Sequence, residues 1–162
     1  MSSNNYKNLT RGGVIAALYA VFTLLSSALG LSSGAVQLRL SEALCVLPCF
    51  TPAAVPGLFL GCLLANILTG CVPLDIVFGS LATLLGAWGT RCMRRRPRLA
   101  LLPPVFFNSL AVPLLMKYAY GMNGAFLYFF VTVGLGELLS AGVLGYSLYK
   151  AVSRRPGLLK LF

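Results

Sequence analysis

Five stretches of this chain, residues 12–29, 53–68, 74–88, 99–116 and 124–149, are apolar almost throughout. A helix needs about 20 apolar residues to cross the roughly 30 Å hydrocarbon core of a bilayer. The first, fourth and fifth stretches meet that length, and the second and third fall a little short. Turn-forming residues separate them: Gly30 and Gly34, Thr51 and Pro52, Gly70 and Pro73, Pro97, and the run Tyr120-Gly121-Met122-Asn123-Gly124. All five therefore read as helices. The chain is 58% hydrophobic and 10% charged, whereas a soluble domain needs far more charge to cover its surface. The expected fold is an all-α membrane protein whose outer surface faces hydrocarbon.

The net charge of +10 could point to nucleic acid, but the positive residues are neither spread over a face nor interleaved with aromatics. They gather in three groups: Lys7 and Arg11; Arg91, Arg94, Arg95, Arg96 and Arg98; and Lys150, Arg154, Arg155 and Lys160. Such groups mark the cytoplasmic ends of membrane spans, so nucleic-acid binding is excluded.

Between the first two groups lie three obvious spans, an odd number that would put Arg11 and Arg94 on opposite sides of the membrane. One more segment must cross, and the remaining candidate is the short run 38–50, which contains most of VQLRLSEAL (36–44). The expectation is a six-transmembrane-helix bundle with a short second helix and both termini cytoplasmic. It forms one domain, residues 1–162, with approximate spans 12–30, 38–50, 53–70, 73–91, 99–117 and 123–150. Thirteen helical residues reach only about 20 Å, so the second element is expected to pack among longer helices or to line a cavity as extended chain. Pro48 and Pro52 suit a broken or ending helix there.

Cys45, Cys49, Cys62, Cys71 and Cys92 form no CxxC pair, and the chain has no histidine. Neither a disulfide framework nor a metal site is expected. The first apolar run is too long for a cleaved signal. Small residues recur at four-residue spacing (Ala16 and Ala20; Gly57, Gly61 and Ala65; Ala82 and Gly86; Ala141 and Gly145), which allows close helix approach. No internal repeat, Walker A loop, HExxH or nucleophile elbow occurs. The chain is expected to be no enzyme and to carry no cofactor.

Charged groups inside spans are costly and mark cavities or partners. In the expected topology Arg39, Glu42, Asn66, Asp75 and Lys117 lie toward the outer half of the bundle, with Asn108 and Glu137 deeper. The inner half is apolar until the arginines begin, which suggests a capture pocket open to the outside and not an ion path. Each residue has a structural alternative. Arg39 and Glu42 could pair with each other at i, i+3; Asp75 could serve its helix dipole; Lys117 could snorkel; Asn66 and Asn108 could join helices. Glu137, in GLGELLSAG, has no neighbouring cation in its own helix. Three carboxylates against two cations favour a neutral or cationic polar ligand.

The string VQLRLSEALCVLPCFTPAAVPGLFLGCLLANIL, followed by DIVFGSLATLLGAW, resembles the QueT family of queuosine-precursor transporters. These are substrate-binding S components of energy-coupling-factor transporters, and the likeness runs from about Val14 to about Tyr149. The resemblance implies a six-helix S-component fold in a prokaryotic plasma membrane. Its implied ligand is a 7-deazaguanine such as the aminomethyl precursor or queuine. Its implied partners are a transmembrane coupling protein and two cytoplasmic ATPases that use ATP. It further implies that Ala16 and Ala20 form the partner interface.

A deazaguanine presents two adjacent donors that one carboxylate can accept, and its amine suits a second carboxylate. Glu42 or Glu137 is expected on the base edge and Asp75 on the amine, with Arg39, Asn66 or Asn108 donating to the ring carbonyl. Phe50, Phe78, Phe107, Tyr118 and Tyr128 are the aromatic candidates for stacking.

Overall fold

The computed structural model describes residues 3–31, 37–155 and 157. Gly34, Val36 and Lys160, used in the sequence reading, lie outside the described residues. Among those residues the fold is all helical, with six helical segments. They are α1 (Ser3–Ala28), a 3-10 helix (Leu40–Cys49), α2 (Ala54–Leu68), α3 (Pro73–Cys92), α4 (Leu102–Tyr118), and a last helix built from three pieces. In that last helix α5 (Phe126–Glu137) passes through a π-helical stretch (Leu138–Leu144) into α6 (Gly145–Ser153). Two helices, Asn5–Ala28 and Phe126–Ser153, are long and apolar enough to cross a bilayer, while Leu40–Cys49 and Ala54–Leu68 are shorter apolar helices.

The helix starts follow local chemistry. Pro73 opens α3, and Pro103 and Pro104 lie in the first turn of α4, where a missing N–H costs nothing. Gly30, Gly70 and Gly121 take positive φ at the ends of α1, α2 and α4, a conformation that other residues adopt only with strain. The first helix differs from expectation. It begins at Ser3, well ahead of the apolar run, because the polar residues before Gly12 need no burial to continue a solvated helix.

The small-residue spacing has a direct structural use between α1 and α2. A Cβ at Gly57 would lie 2.7 Å from the Gly12 carbonyl oxygen, and one at Gly61 would lie 2.8 Å from that of Ala16. The two backbones touch, and no larger residue fits between them.

The 3-10 helix sits at the centre. Ser41, Glu42, Leu44, Cys45, Val46, Leu47 and Pro48 are all buried, and α1, α2, α3, α6 and the π-helical stretch pack around it. Of the two arrangements the length argument left open, the structure shows a short helix packed among longer ones. Its start is pinned to α1: the Leu40 N–H donates to Ser26 Oγ at 2.9 Å, and Thr23 Oγ1 donates to Ser41 Oγ at 2.9 Å. Its far end is pinned to α3, where Arg91 Nη1 donates to the Pro48 carbonyl at 3.0 Å. One short element thus carries Arg39 and Glu42 at one end and touches the arginine-bearing end of the bundle at the other.

Candidate functional site

Glu42 is 1% exposed, and a carboxylate so buried must be supplied with donors. The Tyr19 hydroxyl donates to Oε1 from α1. Asn108 Nδ2 donates to Oε2 from α4 at 3.1 Å, and the Cys45 thiol donates to the same oxygen at 3.1 Å. Glu42 therefore ties α1, the 3-10 helix and α4 together. Among the described residues no hydrogen bond joins the Arg39 and Glu42 side chains; only their backbones meet, Glu42 N donating to Arg39 O at 3.1 Å.

A second polar group forms where α2 meets α3. Asn66 Nδ2 donates to the Asp75 carbonyl at 3.3 Å, and Tyr120, in the turn after α4, donates its hydroxyl to Asp75 Oδ2 at 2.7 Å. Gly79 makes room for this arrangement. A Cβ there would lie 2.8 Å from Asp75 Oδ1 and 3.3 Å from Asn66 Nδ2, so any side chain would push the carboxylate away.

A cavity of about 210 Å³ opens beside these groups, with Arg39, Asp75, Gln37, Cys71, Met116 and Tyr120 in its wall. Its volume is below the range of about 300–1,000 Å³ common for drug-sized ligands, which suits a compact, flat molecule. Opposite charges share this small space, so a ligand with both donors and acceptors can be held by charge-assisted bonds.

Glu137 is 6% exposed, and its Oε2 has no hydrogen-bond partner, a condition shared by the buried hydroxyls of Ser109 and Ser140. Its carboxylate lies close enough to Glu42, Arg39 and Asn108 to interact with each. The π-helical stretch begins at the next residue, and such stretches recur at functional sites because they re-aim side chains.

The structure therefore brings together six of the seven expected ligand-site residues. Arg39 and Asp75 line the cavity, Asn66 and Glu42 hold neighbouring groups, and Asn108 and Glu137 approach from α4 and α5. Lys117 stands apart. It is exposed at the last turn of α4, with Nζ 5.7 Å from the ring centroid of Tyr118, because the helix phase turns it outward.

Ala16 and Ala20 also depart from expectation. They are buried on the face of α1 that meets α2, so the expected partner interface is here an intramolecular contact.

The five proposed stacking aromatics lie elsewhere too. Phe78, Phe107 and Tyr118 line an apolar groove between α3 and α4. Phe50 stacks on Tyr149 with ring centroids 5.2 Å apart, and Tyr128 is exposed. The aromatic side chain in the polar cavity is Tyr120, which reads in the sequence as part of a turn.

The family model described as QueT transporter matches residues 9–154, nearly the whole chain. The chain belongs to the QueT transporter family. No curated protein and no solved structure matches it. Membership in QueT makes this chain an S component of an energy-coupling-factor transporter, a membrane protein that serves substrate uptake and is not itself an enzyme. The matched region includes every residue of the polar cavity and its surroundings.

Tyr19, which completes the Glu42 cluster, was missed by the sequence reading. A signal was present in Tyr19, Thr23 and Ser26, a polar line at helical spacing along one face of an apolar helix.

Proposed function

We propose that this QueT protein captures a queuosine precursor, a 7-deazaguanine such as the aminomethyl precursor or queuine, from outside the cell. In this reading the chain crosses the plasma membrane of a prokaryote six times with both termini cytoplasmic. A transmembrane coupling protein and two cytoplasmic ATPases then drive uptake by consuming ATP.

The observation that carries the reading is the juxtaposition of Asp75 and Arg39 on one cavity of about 210 Å³. Asp75 accepts the ligand's protonated amine. Arg39 donates to its ring carbonyl. Both oxygens of Glu42 are already met by Tyr19, Asn108 and Cys45, while Glu137 keeps an oxygen without a donor. Glu137 is therefore the better acceptor for the adjacent ring N–H and exocyclic amine, and Glu42 the group that holds Asn108 in place. Tyr120 covers the flat ring from the turn after α4.

The test is calorimetric titration of the purified protein with the aminomethyl precursor and with guanine. Saturable binding of the precursor well ahead of guanine supports the reading. Equal or absent binding of both removes it. Mass spectrometry of small molecules that co-purify with the chain gives an independent answer, because a capture subunit retains its ligand through isolation.

A further inference from the structure

A second groove, of about 420 Å³, runs between α4 and the π-helical stretch at the arginine-bearing end of the bundle. Its walls are Leu102, Val105, Leu138 and Val143, and Arg98 and Tyr146 stand at its head. We propose that this groove binds an anionic phospholipid, with one acyl chain along the apolar walls and the phosphate on Arg98, Lys150 and Tyr146.

The head of the groove is built for a phosphate. Arg98 Nε donates to the Tyr146 hydroxyl at 3.3 Å, and Lys150 Nζ lies 4.8 Å from the centroid of the same ring. One tyrosine thus gathers two cations from separate elements. Because Tyr146 accepts from Arg98, its own O–H is free to donate. The Nη groups of Arg98 have no hydrogen-bond partner among the described residues. Phosphate oxygens satisfy such a set of donors with charge-assisted bonds.

Charge at this end of the molecule is unopposed. The chain's three acidic residues, Glu42, Asp75 and Glu137, are all buried, whereas Arg94, Arg95, Arg96, Arg154 and Arg155 are exposed around the same end. Basic pockets between membrane helices select anionic headgroups.

The body of the groove suits an acyl chain. Leu102 and Val143 are 51% and 58% exposed, so the walls open sideways toward lipid and a chain can enter from the bilayer. Gly142 shapes the floor: a Cβ there would meet nothing within 4 Å, so the space in front of it is empty of protein. Gly142 and Val143 both belong to the π-helical stretch and both line this wall.

The test uses the full chain purified in detergent, incubated with equal amounts of palmitoyl-oleoyl phosphatidylglycerol and phosphatidylethanolamine and read by native mass spectrometry. Wild type is expected to retain phosphatidylglycerol with a several-fold preference. The double variant R98Q/K150Q should lose the preference. Gly142→Leu, whose Cβ has open space in front of it, fills the groove and should lose retention of both lipids at an unchanged melting temperature. Val105→Phe fills it from the opposite wall and should do the same, which covers a failure of the first variant to fold. No preference in wild type overturns the proposal. So does full retention in both groove-filling variants, which would leave the basic surface as a general attractor or as a contact for an acidic protein.

Discussion

Two cavities on this molecule differ more in chemistry than in size. The groove between α3 and α4 holds about 500 Å³ and is walled by Leu74, Phe78, Leu81, Leu85, Leu110 and Leu114 among other apolar residues. The cavity around Asp75 holds about 210 Å³ but has Arg39, Asp75, Gln37 and Tyr120 in its wall. In water the larger groove would look like the binding site. In a bilayer its walls are matched by lipid tails, and filling it gains little. The smaller cavity removes charged groups from hydrocarbon, so a polar ligand there satisfies groups that the fold itself leaves exposed to a cost. In a bilayer, convergent polar atoms are a better guide to a binding site than volume.

The largest expected effect is on the charged cavity. Asp75→Asn should weaken binding of the aminomethyl precursor by at least about 30-fold, since loss of one partner of a buried charged pair costs about 2–5 kcal/mol. An analogue without the amine should be nearly indifferent to the change, and equal losses for both ligands would take Asp75 off the amine.

Glu42→Leu should act on the fold instead. It leaves the Tyr19 hydroxyl and the Asn108 amide without their acceptor, at about 1–3 kcal/mol each, and a lowered melting temperature in the ligand-free protein checks this. Glu137→Gln should weaken binding about ten- to a hundred-fold, from loss of a charged acceptor worth about 1.5–3 kcal/mol, with little change in melting. Tyr120→Phe removes one hydrogen bond worth about 0.5–1.5 kcal/mol, or about two- to ten-fold in affinity. Phe78→Ala, in the apolar groove, should leave affinity within about two-fold, as for other changes away from a site. A larger loss there than at Tyr120 would reverse the ranking of the two cavities.

Much of this arrangement is legible in the sequence. Gly and Pro mark the breaks between helices, and the length of the 38–50 run keeps it from facing lipid along a full span, either packed among longer helices or lining a cavity. Buried charge alone led to Asp75, Glu42 and Glu137. What the sequence did not settle was rotation. On α1, the pairs Ala16/Ala20 and Gly13/Ala17 have equivalent spacing, yet the first pair is buried and the second exposed. Hydropathy cannot separate two small-residue faces when lipid and protein core are equally apolar. The same ambiguity applies to the aromatics, since Phe78 is as comfortable against lipid as against a ligand. Lys117 and Tyr120 lie close in sequence, but α4 ends between them at Tyr118. The helix turns one outward, and the following turn folds the other onto Asp75.

The 3-10 winding of Leu40–Cys49 also fixes a length. Ten residues at about 2.0 Å of rise span about 20 Å, and the same residues wound as an α-helix would span about 15 Å. Arg91 clamps one end through the Pro48 carbonyl. The other end is held as well, by the Leu40 N–H on Ser26 Oγ, so the 3-10 winding is what lets ten residues reach from α1 to the arginine-bearing end of α3. The buried rod at the centre of the bundle is thus a spacer fastened at both ends, and it sets how far Arg39 in the cavity wall stands from the arginines at the opposite end.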